Sequence, residues 1–320
     1  MLSVNRKAYS LVQHLCTLSE EFSVTVQETE SGTTLIDAGV NAKGGFNTGR
    51  IVTEICMGGL GEARISTKDY GALRLPSISV YTDHPAVATL GSQFAGWQIT
   101  REDFYAIGSG PARALALKPR DIFEKIQYRD TADVAILVLE TSKTPPDALL
   151  DGFSAECGIS PNQLYVILVP TTSVTGCTQV SGRIVETGLH KLSKLGIDPL
   201  SVEYASGYAP IAPVDPDFTE AMGKTNDAIL YGGVAYYALK HADDNALKRL
   251  LDKAPSSASK HYGQPFKIIL KEANYDFYQI DPHLFAPAVL MVNNTATGSL
   301  WRAGEINTEV LEQALDYAAI

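Results

Sequence analysis

The amino-acid sequence predicts an α/β protein with some α+β elements, arranged as two α/β domains with a substrate cleft between them. Two patterns predict this class. The first part is rich in short strands and turns, whereas apolar strands alternate with helices from residue 134 onward, as in a parallel layer covered by helices. A chain of 320 residues is also long enough for two cores. We predict domains at 1–130 and 131–320, either of which can be discontinuous.

Hydrophobic periodicity predicts the individual elements. Apolar residues recur about every 3.6 residues in an amphipathic helix and at alternate positions in a half-buried strand. In the first part these patterns predict a helix at 6–21, strands at 22–26 and 34–38, a short helix ending near 57, strands at 62–67 and 73–81, a helix at 83–95 and an extended segment at 97–107. In the second part they predict strands at 134–140 and 164–169, helices at 146–157, from the second strand to 195, at 217–240, 243–253 and 307–318, and extended pieces at 277–280, 287–293 and 299–303.

Composition and charge limit the classes of function. Hydrophobic residues make up 45% of the chain and charged residues 19%, as in a globular protein. The net charge of −10, without a basic run, argues against a nucleic-acid partner. No apolar run reaches the roughly 18 residues of a membrane span, and the N-terminus does not resemble a secretory signal. We therefore expect a cytoplasmic protein without a membrane partner.

The spacing of cysteine and histidine residues predicts that the protein holds no metal. The four cysteines lie far apart and form no C-x-x-C pair, and the six histidines form no H-E-x-x-H pattern. A structural zinc site or a zinc-dependent aminohydrolase would normally show one of these patterns. We interpret the cysteines as buried free thiols in a reducing compartment.

Two glycine-rich segments resemble nucleotide-binding loops but lack the residues that carry that chemistry. Gly44 and Gly49 have Walker A spacing, yet Arg50 and Ile51 replace its Lys and its Ser or Thr. A backbone anion site and a simple turn both remain open for this loop. The segment at 108–113 has no third glycine and contains a proline, which excludes a dinucleotide fingerprint. It either contacts a phosphate or carboxylate or forms a structural elbow.

A polar stripe is predicted on the helix that follows the strand at 164–169. Gln179, Arg183, Glu186 and His190 are separated by four, three and four residues, which places them on one face of a continuous helix. Such a stripe is most often solvated. Here the helix follows a loop that leaves an apolar strand, where α/β proteins form ligand clefts.

The sequence resembles the methenyl-tetrahydromethanopterin cyclohydrolases of methanogenic and related archaea and of some methylotrophic bacteria. The resemblance extends over nearly the whole chain. It rests on ungapped segments in the family order, which are AKGGF at 42–46, EICMGGL at 54–60, TDHPAV at 82–87, GSGPARALALKP at 108–119, RIVETG at 183–188, APIAP at 209–213, TNDAILYGG at 225–233 and FAP at 285–287.

The resemblance implies the fold, the reaction and the catalytic pair. It implies two α/β domains with the substrate between them, usually assembled as a homotrimer. It implies a hydrolase of one-carbon metabolism, in methanogenesis or its reverse, that converts 5,10-methenyl-tetrahydromethanopterin to the 5-formyl compound. It also implies no metal and no prosthetic group, with tetrahydromethanopterin serving as the one-carbon carrier and substrate. Arg183 and Glu186 match the catalytic pair of the family.

The chemistry of the substrate predicts a role for each member of this pair. The methenyl carbon lies between two nitrogens and carries delocalised positive charge, so catalysis needs a positioned water, a base and later an acid. We expect Glu186 to take the proton from the water and return it to the leaving nitrogen. We expect Arg183 to orient the carboxylate and keep it ionised.

Further residues are predicted to bind the rest of the substrate. The acidic chain must meet the anionic tail with local cations, and aromatic side chains can flank a pterin ring. The predicted contacts outside the catalytic pair are Asn47, Phe94, Ser109, Arg113, Lys118, Gln179, His190 and Phe285. The alternative function is a tetrahydropterin carrier that binds the methenyl compound without consuming it.

Overall fold

A computed structural model of the chain describes residues 2–101, 104–274 and 279–318. Its strands are β1 (Thr25–Glu28), β2 (Thr34–Asp37), β3 (Glu62–Tyr70), β4 (Leu73–Thr82), β5 (Trp97–Arg101), β6 (Phe104–Ser109), β7 (Ala135–Glu140), β8 (Leu164–Leu168), β9 (Val202–Pro210), β10 (Val234–Leu239), β11 (Val289–Asn294) and β12 (Ser299–Gly304). Its α-helices are α1 (Val4–Thr17), α2 (Phe46–Cys56), α3 (Arg113–Ala116), α4 (Arg120–Ile126), α5 (Asp147–Cys157), α6 (Val174–Ser181), α7 (Ile184–Lys194), α8 (Phe218–Gly232), α9 (Asp244–Leu251), α10 (Phe266–Glu272) and α11 (Thr308–Ala314). None of the helices in this part of the chain has the length and apolar character needed to cross a membrane.

The chain divides into two compact units, each made of two segments of sequence. The first unit comprises Met1–Glu62 and Ala86–Gln179, and the second comprises Ala63–Pro85 and Val180–Ile320. Helices and mixed sheets occur in both, which confirms the α/β class. The predicted domain boundary at residue 130 lies within the first unit. The domain assignment and the substrate cleft stay predictions.

The first unit is built around a six-stranded sheet in the order β1-β2-β8-β7-β6-β5. The three central strands β2, β8 and β7 run parallel, and the outer pairs are antiparallel. Alternate residues of β7 pack into two different cores, since Ile136 and Val138 lie in one with α1 and α2, while Leu137 and Leu139 lie in the other with α5. Burial on both faces explains why the strand is apolar throughout.

The second unit contains the other six-stranded sheet, in the order β12-β11-β10-β9-β4-β3. Only β10 and β11 are parallel among the strand pairs whose register is described. Helix α7 packs against β9 and β10. A Cβ atom at Gly233 would collide with Ile184 Cδ1 at 2.5 Å, and one at Gly207 would lie in tight contact with the Ile184 side chain at 3.2 Å. The sheet thus supports the first turn of α7.

Most predicted elements are confirmed, but the predicted strand at 22–26 is displaced to Thr25–Glu28, and the predicted helix at 83–95 is a π-helix at Ala86–Gln93. Three further predictions are corrected. Residues 234–239 of the predicted helix at 217–240 form β10, because Val234 and its neighbours gain ladder partners on both sides. The extended segment at 97–107 consists of two antiparallel strands, β5 and β6. The helix predicted to end at 195 is divided into α6 and α7. Of the predicted extended piece at 277–280, residues 277 and 278 lie outside the described residues, and residues 279 and 280 do not form a strand.

The loop between β2 and α2 is organised by one carboxylate. Asp37 Oδ1 accepts hydrogen bonds from the N–H groups of Gly39 (2.9 Å) and Val40 (2.7 Å), and Oδ2 accepts from Asn41 (2.8 Å) and Ala42 (3.2 Å). Burial alone would raise the pKa of Asp37, but the four donors outweigh it and the pKa is lowered. The ionised carboxylate therefore stabilises the loop.

We predict that Asp37→Ala lowers the free energy of unfolding by about 2–3 kcal/mol at pH 7, because the backbone donors lose a charged acceptor. A depressed pKa gives stabilisation that is present above the ordinary aspartate value of 3.8 and is lost as the pH falls through the lower folded value. Urea unfolding from pH 7 to pH 3 tests this prediction. The exposed Asp151→Ala variant of the same unit is the control. Equal destabilisation by both variants at pH 7 would contradict the assigned role.

Candidate active site

The polar stripe predicted on one continuous helix is interrupted in the structure. Helix α6 ends at Ser181 and α7 begins at Ile184, with the Arg183 N–H donating to Val180 O at 3.0 Å. Gly182 has a low helix propensity, and the Ser181 hydroxyl donates to Pro210 O of β9 at 2.8 Å. The prediction that one continuous helix carries all four residues is therefore wrong. Gln179 lies on α6, and Arg183, Glu186 and His190 belong to α7 and its N-cap.

The break places Arg183 and Glu186 together at the start of α7. Arg183 is the N-cap residue and Glu186 lies in the first turn. Arg183 Nη1 lies 4.0 Å from Glu186 Oε2, and both side chains are more than 90% buried. The distance is that of an ion pair rather than a short hydrogen bond. The helix dipole also favours a negative group in this turn, so two positive influences act on the carboxylate.

A buried tyrosine lies next to this pair. Tyr237 of β10 is fully buried, and its hydroxyl donates to Val185 O at 2.8 Å. Burial raises the pKa of the Tyr237 phenol well above its ordinary value, and the neighbouring Glu186 carboxylate acts in the same direction. A hydrogen bond with the Leu189 N–H acts in the opposite direction. The phenol is thus a neutral group anchored in the first turn of α7.

The second half of α7 is held by a buried lysine. Lys191 is 2% exposed, and its Nζ donates to His283 O at 2.7 Å and lies 3.2 Å from His283 Nδ1. Burial lowers the pKa of Lys191 to about 8, although the Asp281 carboxylate nearby acts to raise it. This side chain connects α7 to the loop that leads into β11.

The other predicted residues of the second unit lie apart in sequence and differ in burial. His190 is half-buried on α7, one turn beyond Glu186. Phe285 is also half-buried and packs edge-on against Phe266, with 5.7 Å between ring centroids. This packing favours a core role for Phe285 over the predicted contact with a pterin ring.

Two predicted residues of the first unit, Arg113 and Phe94, contact each other. Arg113 is fully buried and donates to Lys118 O (2.6 Å), Leu90 O (3.2 Å) and Ser92 O (3.1 Å). Its guanidinium lies 5.3 Å from the centroid of the Phe94 ring. Because these donors satisfy backbone carbonyls, the geometry favours the structural elbow over a contact with the substrate tail.

The remaining predicted residues occupy three different environments. Ser109, at the end of β6, is buried, and its Oγ lies 3.8 Å from Cys56 Sγ. Lys118 pairs with Glu156 at 2.7 Å on the surface. Asn47 is exposed in the first turn of α2, where the preceding Gly45 N–H donates to Thr175 Oγ1. This internal partner favours the turn interpretation of the glycine-rich loop at 44–49.

Sequence reasoning missed Tyr237 and Lys191. Tyr237 lies within the segment at 217–240 that was predicted to be helical, and no sequence pattern singled out Lys191. Gly188 was the available signal, because a glycine inside a helix commonly marks a close contact. Within residues 2–101, 104–274 and 279–318, no group of three or more His, Cys, Asp or Glu side chains could hold a metal ion.

Comparison with known proteins gives a consistent result over the length of the chain. The model of the family described as Cyclohydrolase (MCH) matches residues 3–315. The methenyltetrahydromethanopterin cyclohydrolase of Methanothermobacter marburgensis is 47% identical over 97% of this chain and 98% of its own length. The enzyme of the same name from Methanocaldococcus jannaschii is 44% identical over 100% of this chain and 100% of its own length. The one from Methanobrevibacter smithii is 42% identical over 98% of this chain and 98% of its own length.

We predict that Lys191 gives stability a distinct pH dependence. Its folded pKa of about 8 lies below the ordinary value of 10.5, so the unfolded chain binds the proton more tightly between these values. The free energy of unfolding therefore rises with pH across this interval, by roughly 1–3 kcal/mol relative to Lys191→Met. Urea unfolding from pH 7.5 to 10.5 measures the difference. The exposed Lys194→Met variant on the same helix is the control and should parallel the unmodified protein. A parallel curve for Lys191→Met would refute the assignment.

Proposed function

The chain belongs to the Cyclohydrolase (MCH) family, and from this membership we propose that it is a methenyltetrahydromethanopterin cyclohydrolase. The proposed reaction is the reversible hydrolysis of 5,10-methenyl-tetrahydromethanopterin to the 5-formyl compound. The observation that supports the proposal is the buried pair of Arg183 and Glu186 at the start of α7. The family resemblance predicts that this segment carries the catalytic motif. The carboxylate can accept a proton from a water that is positioned beside the cationic methenyl carbon.

The pair has the properties that the first step requires. Water adds to the methenyl carbon between N5 and N10, and the Glu186 carboxylate takes one proton from that water. The carbon is already electrophilic, so the base only has to raise the nucleophilicity of a positioned water. General base catalysis of this kind contributes roughly 10²–10⁴-fold.

The second step uses the same carboxyl group as an acid. The bond between the carbon and N10 breaks as Glu186 returns its proton to N10. The added hydroxyl then loses its proton to solvent and becomes the formyl oxygen on N5. One water is consumed and one proton is released, and Glu186 ends ionised as it began. Arg183 stabilises this ionised form at both ends of the cycle.

We also propose the substrate role of the pterin, several further substrate contacts, the oligomeric state and the cellular location that the sequence predicts. The pterin serves as substrate and one-carbon carrier, and the steps above use no prosthetic group. His190 and Gln179 are proposed to contact the substrate near the pair, and Lys118, Asn47 and Ser109 to contact its tail. Assembly as a homotrimer and a cytoplasmic location also stay predictions.

We predict that Glu186→Gln lowers kcat by about 10²–10⁴-fold with little change in KM, because the amide cannot accept the proton from water. Loss of methenyl absorbance measures turnover. Glu309→Gln is the matched control, since Glu309 also lies in the first turn of a helix but is exposed. Near-normal turnover by Glu186→Gln would reject this base. An unmodified protein that binds the methenyl compound without consuming it would instead be a carrier.

We predict that Arg183→Met moves the acid limb of the pH–rate profile to higher pH, because loss of a nearby positive charge makes the Glu186 carboxylate easier to protonate. Arg183→Lys keeps the charge and should keep the position of the limb, with a lower kcat. Profiles of kcat/KM from pH 5 to 9 distinguish the two variants. Identical acid limbs in all three proteins would exclude the electrostatic role of Arg183.

A further inference from the structure

The hydroxyl of Tyr237 binds the peptide group that carries Glu186. Val185 O, which accepts from this hydroxyl at 2.8 Å, belongs to the peptide bond between Val185 and Glu186. The orientation of this peptide plane sets the position from which the Glu186 side chain leaves the helix. A hydrogen bond at this point therefore acts on the carboxylate through the backbone and side chain of Glu186 itself.

Gly188 provides the space that this contact needs. A Cβ atom at Gly188 would lie 2.1 Å from Tyr237 Oη and 3.0 Å from its Cζ, and the hydroxyl would have to move. Glycine inside a helix is less favourable than alanine by about 1 kcal/mol. Glycine at this position lowers the stability of the helix but leaves room for the hydroxyl, whose hydrogen bond offsets that loss. Gly188 also lies in the same RIVETG segment as the proposed catalytic pair.

The tyrosine itself is held rigidly. Tyr237 lies opposite Ala205 of β9 and Val292 of β11, so its backbone is fixed from both sides. Its side chain is fully buried, and its hydroxyl also bonds to the Leu189 N–H one turn along α7. A rigid strand thus fixes the position of the first turn of α7 through one phenol.

We propose that Tyr237 is a positioning residue for catalysis, which keeps the Glu186 carboxylate in register with Arg183 by binding the 185–186 peptide. The proposal rests on the proposed function and deepens it. Tyr237 does not contact the substrate, because its side chain is enclosed. Its hydroxyl acts on catalysis through the peptide that carries Glu186.

Tyr237→Phe tests the proposal because it removes one oxygen and leaves the ring. We expect kcat to fall about 3- to 30-fold with KM within about twofold, since a displaced base slows the chemical step more than binding. Tyr231→Phe is the matched control. Tyr231 is equally buried in the same unit, and its hydroxyl also donates to a backbone carbonyl, Gln264 O at 2.7 Å. We expect Tyr231→Phe to lower the melting temperature without lowering kcat. Unchanged kcat in Tyr237→Phe, with a similar loss of melting temperature, would overturn the proposal.

A combination with Glu186→Gln separates failure of this inference from failure of the proposed function. If Tyr237 acts through Glu186, Tyr237→Phe should have no further effect on kcat once Glu186 is replaced. Normal turnover by Glu186→Gln alone would instead reject the base. Full multiplicative loss in the double variant would show that the tyrosine acts on catalysis by another route and would also overturn the proposal.

Gly188→Ala gives a second, independent measurement. The added methyl group should displace the Tyr237 hydroxyl and lower kcat with little effect on KM. Adding Tyr237→Phe removes the atom that lies 2.1 Å from the new Cβ, so the double variant should be more stable than the two single effects predict. Additive losses in stability would show that the two groups do not share this space.

Discussion

The ion pair between Arg183 and Glu186 is the interaction on which the rest of this site depends. Both groups are buried, and a buried charge is strongly disfavoured unless an opposite charge and hydrogen-bond donors compensate it. The fold supplies this compensation by starting a new helix at Arg183, so the guanidinium and the positive end of α7 act on the same carboxylate. A charge kept in this way is available for chemistry and remains oriented.

The sheet below α7 converts this local arrangement into a fixed geometry. Ile184 packs where Gly207 and Gly233 leave room, Tyr237 binds the 185–186 peptide, and Lys191 binds the loop at residue 283. The helix is therefore attached at its first turn and in its second half. The attachments made by Tyr237 and Lys191 each bury a polar group, and each of these groups has a hydrogen-bond partner. Buried polar groups in proteins are generally paired in this way, because an unpaired one destabilises the fold.

Buried ionisable groups also occur elsewhere in the second unit. Both carboxylate oxygens of Asp227 accept from the Phe266 N–H, at 2.9 and 3.0 Å, where α10 begins. Burial raises the pKa of Asp227 well above its ordinary value despite these bonds and the nearby Lys267. Asp227 belongs to the TNDAILYGG segment, and its placement connects α8 to α10. This segment therefore has a packing reason that does not require contact with substrate.

Periodicity and composition determined the α/β class and most of the helices and strands, because each of these depends on neighbours within a few residues. The catalytic pair follows instead from the resemblance of the RIVETG segment to a known family, and it stays a prediction. Tertiary contacts decided that α6 and α7 are separate helices, that 234–239 is a strand, and that Arg113 is enclosed by backbone carbonyls. The same is true of Tyr237 and Gly188, which are 49 residues apart in sequence. Their contact exists only after β10 pairs with β9 and α7 packs on the sheet, so local sequence patterns carry little information about it.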